Sequence, residues 1–382
     1  MAKTKTILDT RNLVTPEELQ KLIKLQLKSI WDAPEDVGIT PPIFISGSPG
    51  IGKSTIVKNV CDELGIEYID FRACQCESCD IRGLPVPNHE RKCMDWYING
   101  IWPTDPNGRG IIFLDELSAA PRDVQAALYQ ITLDRCLSDY HVPAGYYIVA
   151  AGNNTTDHAI ANTISSALAN RFMHVELEAN HENWLSWARH NDIHPSVIGF
   201  IQYKPDALFH MDDENLERGW PSPRSWERVS KMCQKCPDKD LLRKAVYGLV
   251  GQGYGAEFMA FYELNSEFDN ILDIMRDPKS KIVIPERADQ KFAMCSAMVY
   301  LVWRGKDKAD ADARLTGFYR ICIELSSDFA SMALMAAMEG KDKKLEKQYS
   351  DALIEHPLFK TWQAKHKDAL TKHMKKFNSL SK

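Results

Sequence analysis

Eight consecutive residues, Gly47-Ser48-Pro49-Gly50-Ile51-Gly52-Lys53-Ser54, spell G-x-x-x-x-G-K-[ST], and that spacing implies a definite chemistry. Glycines let successive backbone N–H groups turn inward around phosphates. Lys53 then reaches the β- and γ-phosphates, and the Ser54 hydroxyl ligates magnesium, with Thr55 next in the first helical turn. The apolar run Ile43-Phe44-Ile45 leads in and a helical stretch leads out, the context a phosphate loop needs. The expected ligand is a nucleoside triphosphate, ATP with Mg2+.

About sixty residues later, Ile111-Ile112-Phe113-Leu114-Asp115-Glu116 reads as an apolar strand ending in two carboxylates. The carboxyl end of a parallel strand delivers side chains to the ligand crevice, so Asp115 is expected to hold the magnesium shell and Glu116 to polarise the attacking water. The alternative is an Asp-Glu pair that only caps the next helix. Val149-Ala150-Ala151-Gly152-Asn153 is a further buried strand ending on an amide. Asn153 either orients the lytic water beside Glu116 or serves as an ordinary turn residue.

Cys74, Cys76, Cys79 and Cys93 fall within twenty residues, with His89 nearby. Four thiolates at C-x-C-x2-C followed by a distant cysteine can hold Zn2+, although only one half has the usual C-x2-C spacing. A redox-sensitive thiol group and simple unligated cysteines are the other two readings. The remaining six cysteines mostly sit in apolar periodic segments, where a free thiol acts as a small hydrophobe.

These groups need a scaffold. Strands are expected at 43–46, 67–71, 111–115, 146–151 and 173–177, alternating with helices, which is the pattern of a parallel five-stranded sheet. Thr15-Pro16-Glu17-Glu18 opens a helix over 15–32, with threonine as N-cap and proline at N1. After Glu178 the pattern turns helical, with segments at 181–191, 195–203, 223–236, 239–251, 255–275, 286–303 and 309–338, then a lysine-rich end. Residues 1–37 thus form an N-terminal helical segment, 38–178 the α/β domain, 179–265 a helical domain and 266–382 a helical extension. At 382 residues one core does not account for the whole chain.

The net charge of −5 weighs against general nucleic-acid binding, leaving a local basic patch open. No stretch approaches the apolar length of a membrane span and Met1–Lys5 lead into a polar segment, so a cytoplasmic protein with no membrane contact is expected. The lysines of 340–382, among them Lys341, Lys343, Lys344 and Lys347, read as a solvated helix face or as a docking surface for an acidic partner.

The order GSPGIGKST, DIRGLP (80–85), IIFLDE (111–116), VAAGN, ALANRF (167–172) and SPRSWE (222–227) resembles the MoxR-type AAA+ ATPases, particularly their phage and prophage-like branch, over residues 38–265. The resemblance implies an AAA+ core with a helical lid, hydrolysing ATP as a homo-oligomeric ring of six. Asn153 would be sensor 1, Arg171 the arginine finger and Arg224 sensor 2, the two arginines stabilising charge on the γ-phosphate. It further implies an insertion across 72–110 and a hairpin at 134–147, turning near Ser138-Asp139. Arg82, Arg91, Lys92 and His141 on these elements are candidate substrate contacts or plain surface residues. Remodelling of a protein partner, one carrying a von Willebrand A (VWA) domain, is the function implied. A phage-type nucleic-acid motor or loader is the alternative.

Overall fold

A computed structural model describes residues 12–153, 164, 166–211, 218–266 and 270–367. Met1–Lys5 and the end of the lysine-rich tail lie outside the described residues. The chain divides into two compact units, Met1–Asn180 and His181–Lys382.

The first unit is built on six parallel strands, β1 (Leu13–Val14), β2 (Ile43–Ser46), β3 (Glu67–Arg72), β6 (Gly110–Asp115), β9 (Tyr146–Gly152) and β10 (Met173–Leu177), in the spatial order β1-β10-β2-β9-β6-β3. Five of them are the strands that the sequence pattern predicts, to within one residue at each end. The sixth corrects the five-stranded expectation: Leu13 and Val14 pair with Glu176 and Leu177, but two residues are too few for an alternation to register. Two small antiparallel hairpins accompany the sheet, β4 (Leu84–Asn88) with β5 (Cys93–Tyr97), and β7 (Cys136–Leu137) with β8 (Tyr140–His141).

The central strands β2, β9 and β6 are buried on both faces, which is why they read as continuous apolar runs. Phe44, Ile112, Leu114, Ile148 and Ala150 share one core with Val124, Ala127, Leu128 and Ile131 of helix α4 (Arg122–Asp134). The alternate residues Ile43, Ile45, Ile111, Phe113, Val149 and Ala151 are equally buried, and helices α1 (Pro16–Asp32) and α2 (Lys53–Leu64) contact β9 and β6. Helix α1 starts as its sequence dictates: the Thr15 hydroxyl accepts from the Glu18 N–H, and the Glu18 carboxylate accepts from the Thr15 N–H at 2.9 Å. Two short helices, α3 (Ser78–Arg82) and α5 (Ser166–Ala169), also lie among the described residues of this unit.

The second unit is helical. Helices α6 (His181–His190), α7 (Pro195–Tyr203), α8 (Pro223–Lys235), α9 (Lys239–Val250) and α10 (Gln252–Ser266) close around Trp184, Phe200, Trp226, Val246 and Phe258. A second core, with Met275, Met298, Phe318, Tyr319, Leu334 and Trp362, belongs to α11 (Ile271–Arg276), α12 (Ala288–Val302), α13 (Lys308–Glu324), α14 (Ser327–Glu339), α15 (Glu346–Glu355) and α16 (Phe359–Lys365). Helix α12 serves both, giving Ala293 to the first core and Met294, Cys295 and Met298 to the second. The single helix expected at 309–338 is two helices. Leu325 and Ser326 adopt extended backbone between them, with Ser326 as the N-cap residue of α14.

Candidate functional site

The carboxyl edge of the sheet gathers the chemistry. Strand β9 lies between β2 and β6, so the loop after Ser46, the amide at Asn153 and the carboxylates at Asp115 and Glu116 leave three neighbouring strands at one edge. Ser46 is level with Gly152, and Leu114 with Ala150. This is the crevice where open α/β sheets bind ligands.

The 47–52 loop needs its glycines. Gly52, the residue before α2, has φ +99°, and Gly47 has φ +155° with a Cβ position only 2.6 Å from Ile51 Cδ1 and 2.9 Å from the Leu177 carbonyl. Lys53 opens α2, and its ammonium donates to the carbonyls of Gly47 (2.5 Å) and Ser48 (3.1 Å) and to Asn153 Oδ1 (3.1 Å). The lysine thus curls over the loop, and phosphate oxygens placed there would compete for the same three protons. Its bond to Asn153 ties the phosphate loop to the end of β9.

Asp115 ends β6 half-buried. Burial raises its carboxyl group above the ordinary carboxylate range, with Glu116 close by adding charge repulsion, while the Glu116 N–H bonded to Oδ1 at 2.9 Å acts the other way. Glu116 itself sits in left-handed backbone, φ +55° and ψ +32°, which is uncommon for a residue with a side chain. The next turn reaches the end of β9, where the Ser118 hydroxyl accepts from the Asn153 N–H at 3.2 Å. Oxygen donors such as Ser54 and Asp115 suit a hard cation of the magnesium type.

Cys74, one of the four clustered cysteines, joins this site. Its thiol donates to Glu116 Oε2 in a short hydrogen bond. Burial, and then that bond, push the thiol up to about 11, so it stays protonated and a donor near neutrality. Strands β3 and β6 run in register with Arg72 opposite Asp115, which brings the residues just past both strands together. Register is what the sequence alone does not supply.

The zinc expectation is corrected by the same region. Cys76 bonds the Arg72 carbonyl at 3.2 Å, Cys79 the Glu77 carboxylate at 3.8 Å and Cys93 the Asp95 carboxylate at 3.9 Å. Among the described residues no three His, Cys, Asp or Glu side chains converge on a metal position. Cys93 lies at the turn end of the β4–β5 hairpin, opposite Asn88, four residues from the Leu84 end that follows α3. Four rises span roughly 13 Å, whereas thiolates on one zinc each sit about 2.3 Å from it.

Arg171 stands at the other edge. It lies two residues before Met173, which pairs with Ile43 at the amino end of β2, and its guanidinium stacks on the Tyr129 ring at 3.9 Å. The three rises from Met173 to Glu176, the partner of Ser46, put roughly 10 Å of strand between it and the level of its own phosphate loop. Arg224, in the second unit, is exposed in the first turn of α8, where Ser222 caps the Ser225 N–H and Trp226 anchors the helix by donating to the Ala207 carbonyl at 2.6 Å.

The 72–110 segment contains α3 and the β4–β5 hairpin. Gly83 is fixed between them, since a Cβ there would lie 2.1 Å from the Tyr97 carbonyl. Trp102 anchors the segment, stacked on Phe71 and donating to the Ile81 carbonyl at 3.2 Å. Leu84, Met94 and Tyr97 are nevertheless exposed on the hairpin. The β7–β8 hairpin turns at Ser138-Asp139, and Arg82, Arg91, Lys92 and His141 are all exposed, with Arg91 paired to Asp95. Among the described residues no helix is long and apolar enough to cross a membrane.

Residues 43–178 match the model of the ATPase family associated with various cellular activities (AAA). No curated protein matches the chain. Similar solved structures include NtrX from Brucella abortus in complex with ADP, at 15% identity and TM-score 0.35 over 88% of this chain and 72% of that one. The Thermotoga maritima RuvB Holliday junction branch migration motor has 16% identity and TM-score 0.32 over 66% and 74%. The replication initiator DnaA bound to AMPPCP and single-stranded DNA has 14% identity and TM-score 0.33 over 92% and 94%.

Proposed function

We propose that the AAA-like stretch at 43–178 is a domain that binds and hydrolyses ATP, and that the chain works as a MoxR-type ring on a protein partner, which it remodels. The observation that carries the first part is the convergence of Lys53, Asn153, Asp115 and Glu116 at one sheet edge.

In this reading the 47–52 backbone and Lys53 cradle the phosphates, Ser54 and Asp115 hold magnesium, and Glu116 accepts a proton from the attacking water while Asn153 orients it. Bound magnesium would neutralise charge on the β- and γ-phosphate oxygens. Arg171, on the edge away from its own loop, acts on the nucleotide of a neighbouring copy, which makes hydrolysis depend on assembly. Arg224 is the second arginine of the scheme. A ring of six and a VWA-domain partner rest on the motif resemblance alone.

The experiment is a Glu116→Gln chain, which keeps the shape of the side chain and loses its basicity. It should bind ATP, fail to turn it over and retain its partner long enough to co-purify. Undiminished turnover would move the base elsewhere, and recovery of nucleic acid in place of protein would overturn the partner class.

A further inference from the structure

The first unit contains a cavity of about 150 Å3 at the amino ends of the strands, the edge opposite the phosphate loop. It is walled by residues 37–42, the last turn of α4 and the start of β9. Arg135 and Arg171 both line it, and none of its lining residues is acidic. Asp36 and Asp134 neighbour the wall in sequence, but both are exposed and neither lines the cavity.

Arg135 is held rigidly. It ends α4 in left-handed backbone, φ +53°, and its Nη2 donates to the carbonyls of Pro143 (3.0 Å) and Tyr146 (2.7 Å). Its Nε is buried with no hydrogen-bond partner, and no carboxylate lies within ion-pair distance of it among the described residues. A buried charged donor without an acceptor is costly, and a folded chain that keeps one has a reason, an ion being a common one. Burial pushes this guanidinium down to about 10, so its charge is poorly solvated where it stands. The space is ample, because a cavity of roughly 10–15 Å3 already admits a water.

We propose that this cavity binds a phosphate-type oxyanion between the guanidinium groups of Arg135 and Arg171. Planar guanidinium forks suit tetrahedral oxyanions, and the buried wall formed by Pro42, Tyr147 and Ile148 lowers the local dielectric and so strengthens each charge-assisted bond. Free phosphate and the terminal phosphate of a nucleotide share this chemistry. The nucleotide arm rests on the reading of Arg171 as a group that meets ATP, the free-phosphate arm does not, and the test uses no turnover.

The test is thermal unfolding of the full chain carrying Lys53→Ala, which silences the phosphate loop, titrated in parallel with inorganic phosphate and with ATP against sodium chloride at matched ionic strength. A ligand that binds only the folded state raises the melting temperature in a saturable way. The half-saturating concentration should rise about tenfold or more when Arg135→Gln or Arg171→Gln is added. Arg135→Gln also frees two backbone carbonyls, so Leu133→Glu, at a 40% exposed position on the cavity wall, supplies an independent block by placing a carboxylate there. Saturation by phosphate assigns the free ion, and saturation by ATP alone, lost in the same three variants, assigns a nucleotide phosphate. A response equal to that of sodium chloride, no saturable response to either ligand, or one that survives all three substitutions overturns the proposal.

Discussion

The carboxyl edge of the sheet and the β4–β5 hairpin belong to the same unit and are built on opposite terms. At the edge, polar groups bond to one another: the Lys53 ammonium to Asn153, the Glu116 backbone N–H to the Asp115 carboxylate, the Cys74 thiol to Glu116. On the hairpin, apolar side chains are left facing water, with Tyr97 68% and Leu84 62% exposed. In the proposed reading the edge lacks only its ligand and the arginine of a neighbouring copy. The hairpin's exposed apolar surface is the kind that another molecule covers. Substitutions should therefore act on chemistry at the edge and on recognition at the hairpin.

The largest effect is expected at Lys53. Lys53→Ala removes the cation that faces the phosphates and leaves the Gly47 and Ser48 carbonyls and the Asn153 amide without their shared donor. Calorimetric titration should detect no ATP binding, and near-normal affinity would detach the loop from the site. Next is Arg171→Ala, which should still bind ATP yet lose turnover by about 10³–10⁵, the worth of an arginine finger. Mixed with Lys53→Ala chains, each inactive alone, it should regain some activity where an intact Lys53 meets an intact Arg171. Mixed assemblies that form and stay inactive would count against action in trans, unless each mutant also poisons wild type, which would show that turnover needs every site intact.

The difference between the two regions also explains what the sequence could convey. The phosphate loop is legible because its backbone is: φ of +99° at Gly52 and the crowding at Gly47 admit no other residue type. Strands β2, β6 and β9 are legible because burial on both faces makes them apolar nearly throughout, and β3 and β10 because buried and more exposed residues largely alternate along them. Strand β1 is not, since two residues carry no period. Cys74 is the instructive case. Four cysteines in a short span suggest a metal, but the chain folds so that one meets Glu116 across a β3–β6 register and another rides at the far end of a hairpin. Spacing along the chain does not encode which strands become neighbours.

A smaller effect is expected at that thiol. The Cys74 bond holds the Glu116 carboxylate by one charge-assisted contact and draws on the lone pairs that a base would use. Cys74→Ala should release Glu116 and raise basal ATP turnover by about tenfold or more, the scale of one hydrogen bond to a charged group. Cys74→Ser keeps a donor and should stay near the wild-type rate. If alanine and serine behave alike, the contact has no part in positioning Glu116. Because the thiol is pushed up to about 11, the difference between wild type and alanine should not change between pH 6 and 8.

The smallest effect on the folded chain belongs to the hairpin, and it sharpens the comparison most. Leu84 and Tyr97 face each other across the first pair of β4–β5, both largely exposed. A Leu84→Ser, Tyr97→Ser chain gives up little buried surface, so each change should cost within about 0.5 kcal/mol in denaturant unfolding, with ATP affinity and basal turnover unchanged. Trp102→Ala, in the same segment but 2% exposed and stacked on Phe71, should cost about 3–5 kcal/mol. The contrast separates the anchor of the segment from its working surface. What the double serine chain should lose is the partner retained by the ATP-trapped Glu116→Gln form when both sets of substitutions are combined. If the partner still co-purifies, the hairpin is not the recognition surface. If the serines destabilise the chain as much as Trp102→Ala does, the exposed apolar side chains are packed against the chain itself and the opposition between edge and hairpin fails.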